Sequence, residues 1–459
     1  MKNVKNNLAV IILAAGEGTR MKSQIPKALH LLSGKPLISW ILSSVYGLKP
    51  TKIVLVVGHK AVKIKEELAK ETIIFVEQKR PLGSADALKS AQKLLKNFSG
   101  NIMVICVDTP LISTATLKSF FRVHLISQNS ATILSARLKN PHSYGRIVRS
   151  ISGEVEGIVE EKDASLEQRK IAEVNSGIYC FRSPLAWSII SKIKNENKKK
   201  EYYLTDAISI LKNLKERVGA YCIDTAEEIA GINSRIDLAN AEKTVRKKIL
   251  AELMLSGVTI IDPENTYVSP EVKIGQDTVI YPGTIIEGKT VIGNNNIIGP
   301  YSSINNSDIG NDIQIRNSYV TGSKIHDKVK IGPFSNVRPG SVIKEGSRVG
   351  NFSEIKNSVI SEESKVSHLS YIGDTYLGKK VNVGAGTITC NYDGKKKNKT
   401  YVGDRVFIGS NVNLIAPVKI GADVVLGAGS TITDDVPSQT LAIARARQVH
   451  KKRIASKTK

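Results

Sequence analysis

Aliphatic residues recur every six positions through most of the second half of this 459-residue chain. The recurrence covers residues 258–433, with occasional steps of five and one longer interruption over residues 384–401. A repeat of this length fits neither a heptad coiled coil nor a strand meander. It is typical of a parallel β-helix, in which each rung places one aliphatic side chain inside. The recurring residues are Val268, Ile274, Ile280, Ile286, Ile292, Ile298, Ile304, Ile309, Val320, Ile325, Ile331, Val337, Ile343, Val349, Ile355, Ile360, Val366, Ile372, Leu377, Val383, Val402, Ile408, Leu414, Ile420, Leu426 and Ile432. The sequence therefore predicts a parallel β-helix, whose hand the periodicity does not determine.

The first half of the chain has a different pattern, in which short aliphatic segments alternate with amphipathic ones. This alternation predicts a Rossmann-like, mostly parallel sheet with helices on its faces, where ligands bind beyond the carboxyl ends of the strands. The predicted strands are residues 10–13, 53–57, 73–76 and 102–107, and the predicted helices are residues 37–45, 61–68 and 85–95.

A connecting helix is predicted between the two patterns. Ser234 and Asp237 form a helix-start signal, aliphatic residues then recur at helical spacing, and Gly257 suits a C-terminal cap. We therefore expect an α/β domain over residues 1–235, a linker helix over residues 236–256 and the β-helix over residues 257–459.

The composition indicates a chain without a membrane span. It is 41% hydrophobic and 24% charged, and its longest apolar run near the start is too short to cross a bilayer. The basic start over residues 1–7 is not followed by the small-residue cleavage site of a secretory signal, so we expect a cytoplasmic chain. The four cysteines are widely separated, which favours free thiols over a zinc site or a disulfide framework.

The formal net charge of +24 points to anionic partners, which include nucleic acids, membrane surfaces and small polyanions. The lysines are scattered over both halves, and the stacking aromatics and reading motifs of nucleic-acid-binding proteins are missing. We therefore expect small anionic substrates and no nucleic acid. A solvated, lysine-rich surface and a basic module that binds polyanions are the alternatives.

Residues 13–21 read LAAGEGTRM, follow the first predicted strand directly and precede the pair Pro26 and Lys27. Small residues let backbone N–H groups approach an anion, and Arg20 and Lys27 add positive charge for a triphosphate. The spacing is neither that of a P-loop nor that of the dinucleotide fingerprint. The whole string resembles the signature of the sugar-1-phosphate nucleotidyltransferases, and this resemblance extends over the first half of the chain.

The resemblance implies a UTP site with catalytic Arg20 and Lys27 and with Mg²⁺ held by Asp108 and Asn233. Glutamine suits the imide edge of uracil because its amide both donates and accepts hydrogen bonds. The family usually has Tyr-Gly before the aspartate, whereas this chain has Cys106-Val107, so close backbone approach is less assured there. The matching nucleotide and sugar positions are Leu13, Ala14, Ala15, Gly16, Lys27, Gln78, Gly83, Ser84, Gly145, Glu160, Asn175 and Asn233.

The second half resembles the left-handed hexapeptide acyltransferases, and that resemblance implies the left hand. Nearly the whole chain resembles a bacterial family of bifunctional enzymes that acetylate glucosamine-1-phosphate and then uridylylate the product. His368 lies in a polar stretch between two rungs and matches the general base. The matching glucosamine-phosphate positions are Arg338, Lys356, Tyr371 and Asn382. The matching acetyl-CoA positions are Ala385, Asn391, Tyr392, Ser410, Ala428 and Arg445.

The expected function is therefore the synthesis of UDP-N-acetylglucosamine from glucosamine-1-phosphate, acetyl-CoA and UTP. The resembled acyltransferases are trimers with sites between neighbours, so we expect a homotrimer formed through the β-helix. The alternative is a nucleotidyltransferase whose β-helix is only an assembly or regulatory scaffold. The interruption over residues 384–401 and His368 argue against that alternative, because a passive scaffold needs neither.

Overall fold

A computed structural model describes residues 7–58 and 61–452 of the chain. The basic start predicted over residues 1–7 therefore lies, apart from Asn7, outside the described residues. The chain divides into two compact units between Val245 and Arg246, inside a long helix. Each unit is described in turn.

The N-terminal unit is built on a mixed sheet whose strands follow the order β11-β7-β10-β6-β1-β4-β5. Neighbours from β6 to β5 are parallel, β11 is parallel to β7, and β10 runs antiparallel to both β6 and β7. A hairpin of β8 and β9 pairs with β10. The strands are β1 (Leu8–Ala14), β2 (Leu31–Leu32), β3 (Lys35–Pro36), β4 (Lys52–Val57), β5 (Ile74–Glu77), β6 (Asn101–Cys106), β7 (Ala131–Arg137), β8 (Arg146–Arg149), β9 (Val155–Val159), β10 (Glu173–Arg182) and β11 (Val218–Ile223).

Helices cover both faces of this sheet. Alternate residues of β1 pack into two separate cores, with Ile11 in one and Ile12 in the other, so neither face is left to solvent. The predicted helix over residues 85–95 is wrong in one respect, because it is interrupted at Ala91. The helices of this unit are α1 (Leu37–Tyr46), α2 (Ala61–Glu67), α3 (Ser84–Ser90), α4 (Gln92–Leu95), α5 (Thr114–Ile126), α6 (Leu166–Arg169), α7 (Ser183–Ile190) and α8 (Asp206–Asn213), with short 3-10 turns at Thr19–Met21, Lys27–Leu29 and Ala226–Ile229. The long helix α9 (Arg235–Leu255) spans the boundary between the units, and a further 3-10 turn, Pro263–Asn265, lies in the C-terminal unit.

The start of α9 is capped as its sequence predicts. The carboxylate of Asp237 accepts hydrogen bonds from the backbone N–H groups of Asn233 and Ser234, at 3.0 and 2.8 Å. This cap fixes the segment that carries Asn233. Among the described residues, no helix combines the length and the apolar character that a membrane crossing requires.

The C-terminal unit is a parallel β-helix with three faces, and the chain visits them in turn on every coil. The first face contains Thr259–Ile260, Val279–Ile280, Ile297–Ile298, Gln314–Ile315, Lys330–Ile331, Arg348–Asn351, Lys365–His368, Asn382–Val383, Phe407–Ile408, Val425–Leu426 and Leu441–Ala442. The second face contains Tyr267–Val268, Ile285–Glu287, Ser303–Asn305, Tyr319–Thr321, Asn336–Val337, Glu354–Lys356, Tyr371–Gly373, Ile388–Cys390, Asn413–Ile415 and Thr431–Ile432. The third face contains Lys273–Ile274, Val291–Ile292, Asp308–Ile309, Lys324–Ile325, Val342–Ile343, Val359–Ile360, Thr375–Leu377, Thr400–Val402 and Val418–Ile420.

The recurring aliphatic residues line the interior of the β-helix. All of those predicted are buried in one continuous core, except Ile274, which is partly buried and packs against that core. The predicted loop over residues 384–401 is wrong in extent. Strands Ile388–Cys390 and Thr400–Val402 continue the coil, and only residues 391–399 form the loop. The repeat is hidden in the sequence there because Thr389, a polar residue, takes the inward position and accepts a 2.7 Å hydrogen bond from the backbone N–H of Gly373.

Three columns of corner residues separate the faces, and we number each corner by the face that precedes it. Many corner residues have positive φ, a conformation that is uncommon for residues other than glycine. At the first corner these include Tyr301, Phe334, Phe352 and Leu369, and at the second corner they include Asp374 (φ 50°). Side chains at successive corner positions therefore stack along the outside of the β-helix, one coil apart.

Candidate active sites

Four polar side chains meet at the carboxyl edge of the sheet in the N-terminal unit. Lys27 Nζ lies 3.0 Å from Asp108 Oδ2 and 2.9 Å from Asn233 Oδ1, and Arg20 Nη2 lies 2.9 Å from the same Asn233 oxygen. Asp108 follows β6, and its backbone carbonyl accepts a 2.7 Å hydrogen bond from Ile232, which places Asn233 beside it. The structure thus brings together the two predicted metal ligands and the two predicted catalytic cations.

Gly18 permits this arrangement. It has a φ of +64°, and a Cβ added there would lie 3.0 Å from the Cβ of Lys27. Any larger residue would push on the side chain of Lys27 as well as adopt a strained conformation. The glycine of the motif therefore serves the placement of Lys27.

A cavity of about 440 Å³ opens beside this polar cluster. The departure noted in the sequence, Cys106-Val107, forms part of its wall, and burial raises the pKa of the Cys106 thiol to about 12. Glu201 also lines the cavity, and nothing in the sequence had singled it out. Of the predicted nucleotide positions, the cavity is lined by Leu13, Ala15, Gly16, Lys27, Gln78, Gly83 and Ser84. Ala14 lines a small adjoining pocket with Lys27.

The remaining predicted sugar and nucleotide positions form a second group, which does not line this cavity. A Cβ added at Gly145 would lie 3.6 Å from Glu160 Oε1 and 3.7 Å from the Cβ of Asn175, so the three residues are neighbours. Burial raises the pKa of Glu160. Asn175 Nδ2 donates a 2.7 Å hydrogen bond to Tyr179 Oη.

The first corner of the β-helix carries most of the positions predicted for acetyl-CoA. Backbone hydrogen bonds link Asn411 N to Ala385 O (2.7 Å) and Gly429 N to Ser410 O (2.8 Å), so Ala385, Ser410 and Ala428 occupy this corner on successive coils. Arg445 extends the column, since its Nη1 donates a 2.7 Å hydrogen bond to the carbonyl of Ala428. Residues far apart in sequence thus form one exposed strip.

His368 belongs to the same column, one coil before Ala385. Its side chain is exposed, and its Nδ1 lies 2.7 Å from Asn351 Oδ1 on the preceding coil. An amide oxygen only accepts, so this contact places the proton on Nδ1 and leaves the lone pair on Nε2. Asn382 lies on the first face, in register with Lys365 of the His368 strand.

The second corner carries a separate polar network centred on Asp374. Asp374 is 8% exposed and accepts hydrogen bonds from Lys356 Nζ (3.2 Å), Asn357 Nδ2 (2.6 Å) and Asn391 Nδ2. Burial raises its pKa, but these hydrogen bonds outweigh burial and hold the pKa below the usual value. Asn391 and the exposed Tyr392 therefore lie at this corner, away from the other positions predicted for acetyl-CoA.

Two further cations surround this network. Arg338 forms an exposed ion pair with Glu354 at 2.7 Å. Lys397, in the loop over residues 391–399, lies against Lys356, and the hydrogen-bonding contact with Lys356, together with the Lys356 charge, lowers the pKa of Lys397. Close like charges of this kind are costly unless an anion joins them, so the second corner is suited to a phosphate group.

Tyr371 reaches this corner from the second face. Its Oη lies 3.5 Å from Asn391 Nδ2, and it passes so close to Gly373 that a Cβ there would lie 2.5 Å from Oη. Gly373 is therefore needed to admit the ring.

Sequence reasoning missed Asn351, Asp374 and Lys397. A usable signal exists, because contacting corner residues are one coil apart: Asn351 and His368 are separated by 17 positions, and Lys356 and Asp374 by 18. Counting one coil from a predicted residue would have identified Asn351 and Asp374, but not Lys397, which lies in the loop.

Comparison with known proteins finds a matching family for each of the two units. A family model described as nucleotidyl transferase matches residues 9–228, and one described as bacterial transferase hexapeptide (six repeats) matches residues 271–306, 322–357 and 399–434. The chain is therefore a nucleotidyltransferase domain followed by a hexapeptide transferase domain. The predicted fold class, an α/β domain followed by a left-handed parallel β-helix of hexapeptide repeats, is confirmed.

Relatives match over almost the full length. Bifunctional protein GlmU of Acetivibrio thermocellus is 49% identical over 97% of this chain and 96% of the relative. The GlmU proteins of Halalkalibacterium halodurans and Shouchella clausii are 46% and 47% identical, over 98% and 96% of this chain and 99% and 97% of the relatives. The chain belongs to the GlmU family of bifunctional proteins. This membership favours two activities over a nucleotidyltransferase with a passive scaffold.

Proposed function

We propose that the C-terminal unit transfers an acetyl group from acetyl-CoA to glucosamine-1-phosphate, and that the N-terminal unit joins the product to UMP from UTP, releasing pyrophosphate. The observation that carries this proposal is the presence of two unrelated polar clusters in two compact units, in a chain of a bifunctional family. Each cluster suits one of the two reactions. The substrates are cytosolic metabolites, so we also propose a cytoplasmic location.

Uridylyl transfer is an in-line displacement at the α-phosphorus of UTP. An oxygen of the sugar-1-phosphate forms the new P–O bond while the bond to pyrophosphate breaks, and no protein nucleophile is needed. Lys27 and Arg20 act by charge, since negative charge builds up on the phosphoryl oxygens and the leaving group. Lys27 is well placed for this role because its side chain is only 11% exposed, which weakens screening by water.

The same cluster fits Mg²⁺. Asp108 Oδ2 and Asn233 Oδ1 face the same point, which the Lys27 ammonium occupies at 3.0 Å from the first oxygen and 2.9 Å from the second. Carboxylate and amide oxygens are ligands that Mg²⁺ accepts. Within residues 7–58 and 61–452, no group of three or more His, Cys, Asp or Glu side chains forms a metal site. Mg²⁺ would therefore be held by these two residues together with substrate phosphates, and when bound it would neutralise phosphate charge.

The cavity beside the cluster is proposed to hold the nucleotide, with the base near Gln78, Gly83 and Ser84. The group of Gly145, Glu160 and Asn175 is proposed to hold the sugar and ribose hydroxyls. Side chains of this kind select hydroxyl-rich ligands because unsatisfied buried polar groups are costly.

Acetyl transfer needs a base for the amine of glucosamine-1-phosphate, and His368 is proposed for this role. Its Nδ1 proton is held by Asn351, so Nε2 is free to take the proton as the amine attacks the thioester carbonyl. Collapse of the tetrahedral intermediate then expels CoA thiolate. The column of Ala385, Ser410 and Ala428 offers a small-residue strip along which CoA can lie, with Arg445 at its far end.

The sugar phosphate is proposed to bind at the second corner, with Lys356, Arg338 and Lys397 around it and with Tyr371 against the sugar. Asn382 is proposed to contact the sugar from the first face. In the described part of one chain, no hydrogen bond or ion pair links His368 to the second-corner network. We therefore propose that neighbouring copies complete the site by bringing one chain's first corner to another's second corner.

An exposed apolar ridge beside His368 supports this assembly. It consists of Tyr301, Phe334, Phe352 and Leu369, whose exposed fractions range from 56% to 69%. Phe334 and Phe352 stack at a centroid distance of 5.3 Å. Large apolar residues in the uncommon positive-φ conformation indicate a functional surface, and contiguous exposed apolar groups are usually covered by a partner. We propose that the partner is a second copy of the chain, in a homotrimer.

Separate assays of the two half-reactions test the proposed function. The full chain should release CoA from acetyl-CoA with glucosamine-1-phosphate, and pyrophosphate from UTP with N-acetylglucosamine-1-phosphate and Mg²⁺. CoA should be measured by chromatography, because exposed Cys222 would react with thiol reagents.

His368→Ala should lower acetyl transfer by about 10²- to 10⁴-fold and leave uridylyl transfer intact, whereas Asp108→Ala should do the reverse. Each variant is the control for the other. Equal loss of both activities in a folded variant would refute the two-site assignment.

A further inference from the structure

The amide of Gln78 is held by two acceptors in the wall of the N-terminal cavity. Gln78 is 6% exposed, and its Nε2 donates to Asp86 Oδ2 at 2.8 Å and to the carbonyl of Gly83 at 3.3 Å. Both partners only accept hydrogen bonds, so they require the nitrogen of the amide to face them. The orientation of Gln78 is therefore determined by its surroundings.

This orientation removes half of the recognition capacity that glutamine offers. A side-chain amide has two N–H donors, and both are directed at Asp86 and Gly83. Among the described residues, no protein donor contacts Gln78 Oε1. The sequence-based expectation that Gln78 both donates to and accepts from the base thus becomes narrower, because what remains for a ligand is an acceptor.

An acceptor in this position discriminates between pyrimidines. The imide of uracil has an N–H at ring position 3, which can donate to Gln78 Oε1, whereas cytosine has a lone pair there. Two acceptors facing each other repel and leave both unsatisfied, which is a strong basis for rejection.

We propose that Asp86 is a positioning residue that sets the preference for UTP over CTP by fixing Gln78 as an acceptor. This inference rests on the proposed uridylyl transfer. Asp86 lies in the first turn of α3, between the cavity-lining residues Ser84 and Ala87. It acts through Gln78 and need not touch the nucleotide.

Asp86→Asn is the sharpest perturbation because it preserves size and removes only the acceptor-only character. An asparagine can turn either its oxygen or its nitrogen toward Gln78, so only the longer contact with the Gly83 carbonyl, at 3.3 Å, still selects the orientation of Gln78. We expect the ratio of kcat/KM for UTP to kcat/KM for CTP to fall about tenfold, the value of one net hydrogen bond. Asp86→Ala, which leaves Gln78 without this partner, should lower the ratio in the same direction.

The assay measures pyrophosphate release by the full chain with N-acetylglucosamine-1-phosphate, Mg²⁺ and either UTP or CTP. Asp224→Asn, the same substitution at an exposed position of the same unit, is the matched control and should leave the ratio unchanged. Should Asp86→Ala fail to fold, the isosteric Asp86→Asn carries the test.

A ratio that stays within threefold of the wild-type value in Asp86→Asn would overturn the inference. A parallel loss with both nucleotides would overturn it as well, since that result indicates a merely structural role. If the wild-type chain uses neither nucleotide while it still acetylates glucosamine-1-phosphate, the proposed uridylyl transfer itself fails, and this inference falls with it.

Discussion

Replacing Asp374 with asparagine isolates the contribution of the Asp374 charge to the stability of the β-helix. Asp374 accepts hydrogen bonds from Lys356, Asn357 and Asn391 at the second corner. Its φ of 50° is a conformation that asparagine tolerates well, so the backbone should not add strain. The substitution therefore removes charge and acceptor capacity and little else.

The expected loss of unfolding free energy is about 3 kcal/mol. Hydrogen bonds to a charged group contribute roughly 1.5–3 kcal/mol each, and a buried charge that loses its partner costs roughly 3–5 kcal/mol. Lys356 keeps 16% exposure, so water offsets part of that cost. The introduced asparagine can also retain one acceptor oxygen, which again places the result at the lower end of the range.

The loss should depend on pH in a defined direction. The pKa of Asp374 is lower in the folded chain than its unfolded value of about 3.9. The stabilisation is therefore fully present above the unfolded pKa and is lost as the pH falls through the lower, folded pKa. The difference between wild type and Asp374→Asn should be constant between about pH 5 and pH 7 and should shrink below about pH 4.

Hydrogen exchange with mass spectrometry of β-helix peptides is the suitable assay. The two tryptophans, Trp40 and Trp187, lie in the N-terminal unit, so tryptophan fluorescence does not report on the β-helix. Asp423→Asn is a matched control, since Asp423 has a φ of 59° and accepts two 2.7 Å hydrogen bonds from Arg405, but on an exposed corner. It should change protection much less. Equal effects of the two substitutions, or a difference that persists unchanged at pH 3, would refute the reasoning.

Two further predictions concern the acetyl-transfer site. Asn351→Ala should lower kcat for acetyl transfer about tenfold or more with little change in KM, because His368 loses the acceptor that fixes its proton on Nδ1. Steady-state kinetics should show that Asn351→Asp recovers kcat. An unchanged kcat in Asn351→Ala would contradict the assignment. Combined Phe334→Ser and Phe352→Ser substitutions should dissociate the proposed trimer, since each phenylalanine that assembly would bury contributes roughly 1.5–3 kcal/mol, and should lower acetyl transfer while sparing uridylyl transfer. Light scattering measures the mass of the assembly. The control is Ile151→Ser, a substitution at another exposed apolar residue. An assembly that stays intact in the double variant would exclude the ridge as the interface.

The interior of the β-helix was predictable because the physical requirement is narrow. Each coil is thin, so an inward position admits one aliphatic side chain, and that requirement repeats at fixed spacing. Thr389 was missed because its hydroxyl is satisfied by the backbone of Gly373 on the preceding coil. A pattern of hydrophobic residues cannot reveal a polar residue whose burial is offset by a hydrogen bond from another coil.

The residues proposed for the sites were identified only where resemblance supplied the positions. Lys27, Asp108 and Asn233 converge as expected, although they are separated by 81 and 206 positions along the chain. Residues that act through others, such as Asp86 on Gln78 and Asn351 on His368, have no motif of their own. They become visible only when the fold places their side chains in contact.

The ion pairs at the second corner indicate how a phosphate would be admitted there. Lys356 and Asp374 are largely buried, with 16% and 8% exposure, so separating them is costly and the pair should stay intact. Arg338 and Glu354 are exposed at 45% and 37%, and an exposed pair of this kind contributes little, so Arg338 can exchange Glu354 for a substrate phosphate at low cost. Lys397 adds a further cation, and no carboxylate of the described residues lies within ion-pair distance of it. In the proposed phosphate site, the arrangement would combine a fixed cation, an exchangeable one and a surplus one, and the surplus charge would favour a dianionic ligand over the protein's own carboxylates.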